Sequence, residues 1–216
     1  MWLAGAAELG SGEASLAVRA RTHQALLADG TGVTLRPIRP DDAEALAEFN
    51  RRLSSESLYL RYFSFRRGIG ERELDRFTHA DGRLHAGVVA FVGGELVGHA
   101  CFDRKEGELD AEVAFEVADA FQGRGLGTLL LEALIRQARG EGIYTFTARV
   151  LPQNRKSLEV FRDLGLAERT RFEEGCVLVS LDLAPTPASR AAERRRHARA
   201  RSARTRDRSA RERGEA

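Results

Sequence analysis

Hydrophobic and polar positions change period several times along the chain, and each change marks a new element. Residues 24–38 read as two strand-like pieces around Asp29-Gly30-Thr31-Gly32, a hairpin composition. Pro40-Asp41-Asp42 precedes a stretch in which Leu46, Phe49 and Leu53 fall at helical spacing, so an Asp-capped amphipathic helix follows. Two further helical stretches, 56–63 and 71–78, lie on either side of the Arg66-Arg67-Gly68 loop. From Gly87 the period is that of strands: 88–92, 96–102 and 111–117 predict an antiparallel meander, turned at Gly93-Gly94 and over 105–110. Residues 125–139 return to helix, with Leu126, Leu129, Leu130, Ala133 and Leu134 on one face. A β-rich strand over 143–150, a helix over 154–164 stopped at Gly165, and a final strand within 172–183 after a Glu174-Gly175 turn complete the pattern.

Strands and helices are therefore mixed, with no internal repeat, which predicts an α+β fold whose core spans residues 24–184. A chain of 216 residues suits one core of ordinary size. Residues 1–23 are small and expected to be poorly ordered. The net charge of +2 hides an asymmetry, because residues 185–216 hold 11 Arg against 4 acids and leave −5 on the rest. That tail opens with Pro185-Thr186-Pro187 and carries no large hydrophobe to offset its ordering entropy, so it is expected to be disordered or a lone fraying helix. Its arginines suggest weak polyanion binding by counterion release, with an inert solvating extension as the alternative.

Hydrophobic residues make up 43% and charged residues 31%, and no apolar run approaches the ~18 residues needed to cross a bilayer. The N-terminus lacks the basic-then-apolar layout of a secretory signal, so a cytoplasmic location and no membrane partner are expected. Cys101 and Cys176 sit in apolar strand-like runs without metal-ligand spacing, which predicts buried thiols and no metal site. His79, His85 and His99 share no spacing and read as solvated or core histidines, and the aromatic run Tyr59, Tyr62, Phe63 and Phe65 reads as core more readily than as an acceptor groove.

The sharpest chemical feature follows the strand Glu112-Val113-Ala114-Phe115-Glu116-Val117: a short loop, then Gln122-Gly123-Arg124-Gly125-Leu126-Gly127-Thr128 at a helix start. Glycines let backbone N–H groups converge on one point, and a helix N-terminus adds partial positive charge, so the turn is suited to phosphate oxygens. Tight packing alone is the competing explanation. The turn follows a meander and lacks the acid and parallel sheet of a dinucleotide fold, and it has no Gly-Lys-Ser/Thr for a Walker loop.

Gln122-x-x-Gly125-x-Gly127 resembles the coenzyme A signature of the GNAT N-acetyltransferases, and Asn154 after the next strand and Leu164-Gly165-Leu166 after the next helix continue the likeness. Residues 35–42, 57–63 and Arg76-Phe77-Thr78-His79 are similar to the acetyltransferase domain of bacterial Pat-type protein lysine acetyltransferases. The resemblance implies a GNAT fold: a mostly antiparallel mixed sheet of six to seven strands, helices on both faces, and a splayed fourth and fifth strand pair for the cofactor. It implies acetyl-CoA as co-substrate, bound through backbone groups of Phe115, Glu116 and Val117 and through Gln122, Gly123, Arg124, Gly125, Leu126, Gly127 and Thr128. Asn154 and Ser157 would sit near the pantetheine and the adenosine end, although Asn154 also reads as a simple helix cap. It further implies a protein lysine as acceptor, an acyl-CoA synthetase-like enzyme being one such partner in the family. Pat-type enzymes often carry a regulatory domain; with only 1–23 ahead of the core, an unregulated or differently regulated version is expected.

A lysine amine has a pKa near ~10.4 and must lose a proton before it attacks a thioester, so a base is required. Strand alternation puts Glu112, Ala114 and Glu116 on one face, and two carboxylates interrupt what should be a half-buried strand. Glu112, ten residues before Gln122, corresponds to the general base of protein-acetylating GNAT enzymes, acting through water; a surface or salt-bridged glutamate is the alternative, with Glu116 the less favoured base. Where many relatives have a tyrosine acid for the leaving thiolate, this chain has Val160-Phe161-Arg162. A small-molecule amine or protein N-terminal acetyltransferase, and a non-catalytic acyl-CoA-binding module, are the rival functions.

Overall fold

The hairpin predicted around Asp29 opens the fold: β1 (His23–Leu26) pairs antiparallel with β2 (Gly32–Pro37), and Asp29 accepts a bond from the Thr31 amide at 3.0 Å in the turn. The computed structural model describes residues 22–214, and their side chains up to residue 206; the expectation for the N-terminal segment falls, apart from Thr22 and His23, outside the described residues.

The sheet has eight strands in the order β1-β2-β3-β4-β5-β6-β8-β7. The predicted meander is β3 (His85–Val92), β4 (Glu95–Asp103) and β5 (Asp110–Val117), and β6 (Thr145–Val150) lies parallel to β5 across the helix α4 (Leu126–Gly140). All other pairings are antiparallel. The expected final strand is one half of a hairpin, β7 (Ala167–Glu173) and β8 (Cys176–Asp182). β7 was not legible because nearly all its side chains are exposed, so it has no polar and apolar alternation; its pairing is supplied by the edge of β8.

Three helices cover one face. α1 (Ala43–Arg52) is locked at its start by Asp42, which takes two 2.6 Å bonds from Arg36 and a 2.8 Å bond from the Arg39 amide. α2 (Ser55–Tyr62) is capped by Ser54, whose hydroxyl accepts from the Ser57 amide, and α3 (Glu71–Thr78) follows the arginine loop. Leu46, Phe49, Leu58 and Phe77 bury here against Val89 and Cys101. The larger core lies on the opposite face, where α4 and α5 (Arg155–Asp163) bring Leu130, Leu134 and Phe161 onto Phe102, Val113 and Phe146. At roughly 1.5–3 kcal/mol per large side chain, this face holds most of the stabilising burial.

Of the two expectations for the C-terminal segment, disorder or a lone fraying helix, the structure has a helix, and that helix is docked rather than alone. Residues Pro187–Gly214 form one helix, α6, packed on the body. Thr186 and Ser189 cap it reciprocally, with the Ser189 amide donating to Thr186 Oγ1 at 2.9 Å and the Thr186 amide to Ser189 Oγ at 3.0 Å, and Pro187 takes the first turn. Ala192 and Ala200 are buried, and Arg196 between them ion-pairs with Glu132 of α4 and donates to the Asp163 carbonyl. At Gly30 a Cβ would stand 2.7 Å from the Arg204 backbone nitrogen. Small residues thus dock this helix by close backbone approach, a route that counting large hydrophobes misses.

Candidate active site

β5 and β6 pair only at Asp110–Thr145, Ala111–Phe146 and Glu112–Thr147, then diverge. β6 continues against β8 as far as Val150–Val177, while β5 stays bonded to β4 along its other side up to Gly98–Val117. Among the described residues, the edge of 113–117 that faces β6 therefore has no strand partner. It is a row of backbone donors and acceptors in an open cleft, and it includes Phe115, Glu116 and Val117.

The glycine turn closes the wide end of that cleft. Gly123 has φ +70° and Gly125 φ +83°, left-handed values that glycine adopts without strain, and α4 starts immediately afterwards with no side-chain cap on its first amides. Gly127 serves a different purpose: a Cβ there would meet the Phe115 ring at 3.1 Å and Val160 at 3.3 Å, so its absence lets α4 approach β5 and α5. Phe115 packs edge-on against Phe161, with ring centres 5.8 Å apart. Leu126 and Thr128 are buried beneath the turn.

Gln122 works as a bracket rather than a free hand. Its amide nitrogen donates to the Val117 carbonyl at 3.3 Å, to Ser57 Oγ at 3.1 Å and to Asp119 at 3.2 Å, and its oxygen accepts from Lys156 Nζ at 3.0 Å. Asp119 gathers the start of α2, accepting from the Ser54 amide at 2.9 Å and from the hydroxyls of Ser54 and Ser57 at 3.0 and 2.6 Å. Burial raises the Asp119 pKa, but these hydrogen bonds outweigh it and hold the carboxyl below its usual range. Asp119 was missed in the sequence; the pair Ser54 and Ser57 at cap spacing was its one signal.

Arg124 is also engaged. It ion-pairs with Asp29, donates to Thr31 Oγ1 at 2.7 Å and lies over the Phe121 ring at 4.8 Å, while its carbonyl accepts from the Ala28 amide. The side chain thus ties the turn to the β1–β2 hairpin, and only its backbone remains directed by the turn itself. Asn154 realises its cap reading, with Oδ1 accepting from the Ser157 amide at 3.1 Å; Ser157 is half-buried in the first turn of α5.

The two strand carboxylates share the predicted face and have opposite environments. Glu112 is exposed at the last paired position, where the strands begin to part, and among the described residues its carboxylate has no bonding partner. Glu116, roughly 13 Å further along the strand, is 6% exposed. It lies 3.2 Å from His99 Nδ1, accepts from the Tyr62 hydroxyl at 3.2 Å and stands 3.8 Å from Arg61 Nε. Asn50 donates to Tyr62 Oη at 3.2 Å and completes the network. Burial alone would raise the Glu116 pKa, but the His99 bond and the Arg61 charge lower it below the usual value. The same burial pushes the Tyr62 hydroxyl up and the Cys101 thiol to about 12, so neither is a reactive group near neutrality. Glu116 is a charge locked into a buried network, which argues against it as the base.

Donor atoms of Glu132, Glu193 and His197 lie within 4.8 Å of one another between α4 and α6, but Arg196 already occupies Glu132. Among the described residues no helix is long and apolar enough to cross a membrane.

Pat from Mycolicibacterium smegmatis is 36% identical over 154 residues, which is 70% of this chain and 46% of that protein, so the chain spans about half the length of this curated relative. The GNAT domain of S. lividans PAT superposes with a TM-score of 0.71 at 38% identity, covering 74% of this chain and 96% of that domain. The yncA protein of Salmonella typhimurium, solved with its cofactor acetyl-CoA, shares the fold at a TM-score of 0.57 and 24% identity, covering 73% of this chain and 97% of that one. With the parted strands, the capless glycine turn and a family profile matching residues 53–166, the chain belongs to the acetyltransferase (GNAT) family.

Proposed function

We propose that the protein transfers an acetyl group from acetyl-CoA to an amine, with a protein lysine side chain as acceptor and Glu112 as general base. The carrying observation is the cleft: an unpaired backbone edge, a glycine turn at one end and an unpartnered carboxylate where the strands begin to part.

These residues fit the co-substrate. The free edge at 113–117 offers amide and carbonyl groups to the amides of a pantetheine arm, and the uncapped amides of α4 with Gly123 and Gly125 offer convergent N–H groups to a pyrophosphate. Acetyl-CoA supplies an activated acyl group as a thioester. The chain's own task is to produce a neutral amine beside it. Glu112 accepts the ammonium proton, through water as the family resemblance implies; the amine nitrogen then bonds to the acyl carbon, the carbon–sulfur bond breaks to leave the thiolate, and the nitrogen gives its second proton to water as the amide forms. The stretch Val160-Phe161-Arg162, where many relatives carry a tyrosine acid, offers no such group, so the thiolate takes its proton from solvent. The exposure of Glu112 suits an acceptor borne on a long side chain of another protein, and the likeness to Pat supports the same acceptor.

The test is thiol release from acetyl-CoA with a lysine peptide, followed by mass spectrometry of the peptide. Acetylation of the lysine ε-amine is expected, and Glu112→Gln should bind acetyl-CoA while losing turnover by roughly 10²- to 10⁴-fold. Acetylation confined to free amino acids or to peptide N-termini would replace the acceptor assignment, and thiol release unaffected by Glu112→Gln would remove the base.

A further inference from the structure

The docked helix α6 has an outer face that acetyl transfer does not use. Its inner face, made of Ser189, Ala192, Glu193, Arg196, Ala200 and Ala203, is turned to the body and held at Gly165, Glu132 and Gly30. The angular position of every outward residue is therefore set. At about 100° per residue, Arg190, Arg194 and Arg201 form one exposed row and Arg195, Arg199 and Arg206 form a second, repeating the same spacing five positions later. The rows lie about 140° apart around the helix and run for roughly 24 Å along it. Between them the crest carries the small exposed residues Ala198, Ser202 and Thr205.

Two features separate this from an ordinary solvated face. Among the described residues none of the six arginines is ion-paired, although the helix rests on a body of net negative charge. The bulk is also distributed in a particular way, with long cations on both flanks and nothing large on the crest.

We propose that α6 is a docking element for the major groove of duplex DNA, without sequence preference. A helix of about 10–12 Å diameter fits a groove about 12 Å wide, the small crest lets it seat, and the two rows reach the phosphates on either side. The crest is poor in base-reading groups: Ala198 has none, the Thr205 hydroxyl donates to the Arg201 carbonyl at 3.1 Å, and the hydroxyl of Ser202, both donor and acceptor, accepts any base edge alike. No aromatic side chain stands on this face to stack unpaired bases, which disfavours single strands. The major groove of A-form RNA is too deep and narrow for such a helix. The site is independent of acetyl transfer and would place the enzyme beside lysine-rich proteins already on DNA.

The experiment is fluorescence anisotropy of a labelled 20-base-pair duplex of arbitrary sequence against the full chain, from 50 to 300 mM salt. Binding with a log–log salt slope between about −3.5 and −5.5 is expected, corresponding to four to six phosphates. An RNA duplex of the same sequence should bind at least about fivefold more weakly. Arg194→Gln/Arg195→Gln/Arg199→Gln/Arg201→Gln should lose at least about 30-fold in affinity and flatten the slope by about one per arginine, with acetyl-CoA affinity by calorimetry unchanged. No binding at 50 mM salt, equal affinity for the RNA duplex, or undiminished binding by a correctly folded variant would overturn the proposal. Tighter binding of polyglutamate than of DNA would also overturn it and assign the face to an acidic polypeptide. The slope and the RNA comparison need no variant, so misfolding of the quadruple mutant leaves the proposal open to refutation.

Discussion

Replacing each strand glutamate by glutamine should separate stability from turnover. Glu116→Gln keeps the shape and the capacity to bond Tyr62 and His99 but removes the charge opposite Arg61, whose side chain is only 17% exposed. Removing one member of a buried pair costs about 3–5 kcal/mol. The residual exposure of Arg61 lets some water return, so about 3 kcal/mol is the working figure, equivalent to a fall of roughly 6–12 °C in Tm for a chain of this size. Among the described residues Glu112→Gln breaks no side-chain contact and should change stability by no more than the roughly ±0.5 kcal/mol usual for surface changes, while turnover collapses. Acid unfolding gives a further check. The Glu116 pKa is lowered in the folded state, so its contribution is complete above the ordinary glutamate value of 4.5 and is lost as pH falls below that value toward the folded one. The glutamine variant should therefore lose stability less steeply than the wild type below pH 4.5. The assays are calorimetric melts at several pH values and steady-state rates at saturating acetyl-CoA. A Glu116→Gln protein that melts within about 1 °C of wild type yet loses 10²-fold in turnover would make Glu116 the base and refute this division of labour.

Gly125→Glu should abolish acetyl-CoA binding in calorimetry, since it adds a strained left-handed side chain and a negative charge at the glycine turn, where an added Cβ has no atom within 4 Å. Asn154→Ala should cost about 1 kcal/mol through loss of the α5 cap, and a much larger effect on the KM for acetyl-CoA would show contact with the co-substrate. Arg196→Ala should release α6, read as faster hydrogen exchange over 187–206 and new tryptic cuts there; unchanged protection would mean that the alanine contacts alone hold the helix. Deleting 185–216 should lower Tm by a few degrees with the domain still folded, because Ala192 and Ala200 leave a packed surface.

The elements that proved legible were those whose burial leaves a mark in the residue order. β3 and β4, covered on both faces, read as near-continuous apolar runs between turn residues, whereas the start of β5 alternates and α4 carries a leucine face. The glycine turn was legible for another reason: positive φ restricts the residue type locally, whatever surrounds it. β7 left no such mark, since its exposed side chains are free to be anything soluble and only the neighbouring edge of β8 makes it a strand. The docking of α6 was not legible because the expectation of disorder or a lone fraying helix rested on the lack of large hydrophobes, whereas its docking uses alanines and a serine–threonine cap.

The sequence by itself determined the mixed order of elements, the glycine turn at the start of α4 and the presence of two carboxylates on one face of β5, all of which rest on local periodicity or local backbone conformation. Only the tertiary structure decided which carboxylate is free. Glu112 and Glu116 have the same chemistry and the same strand face, and the difference between them comes from Tyr62, Arg61 and His99, brought from other elements 17 or more positions away in the chain. The parting of β5 from β6, the capture of Arg124 by Asp29 and the fixed arginine rows of α6 have the same origin. Each depends on long-range contacts whose strength is set by burial and distance, and neither quantity is written in the order of residues.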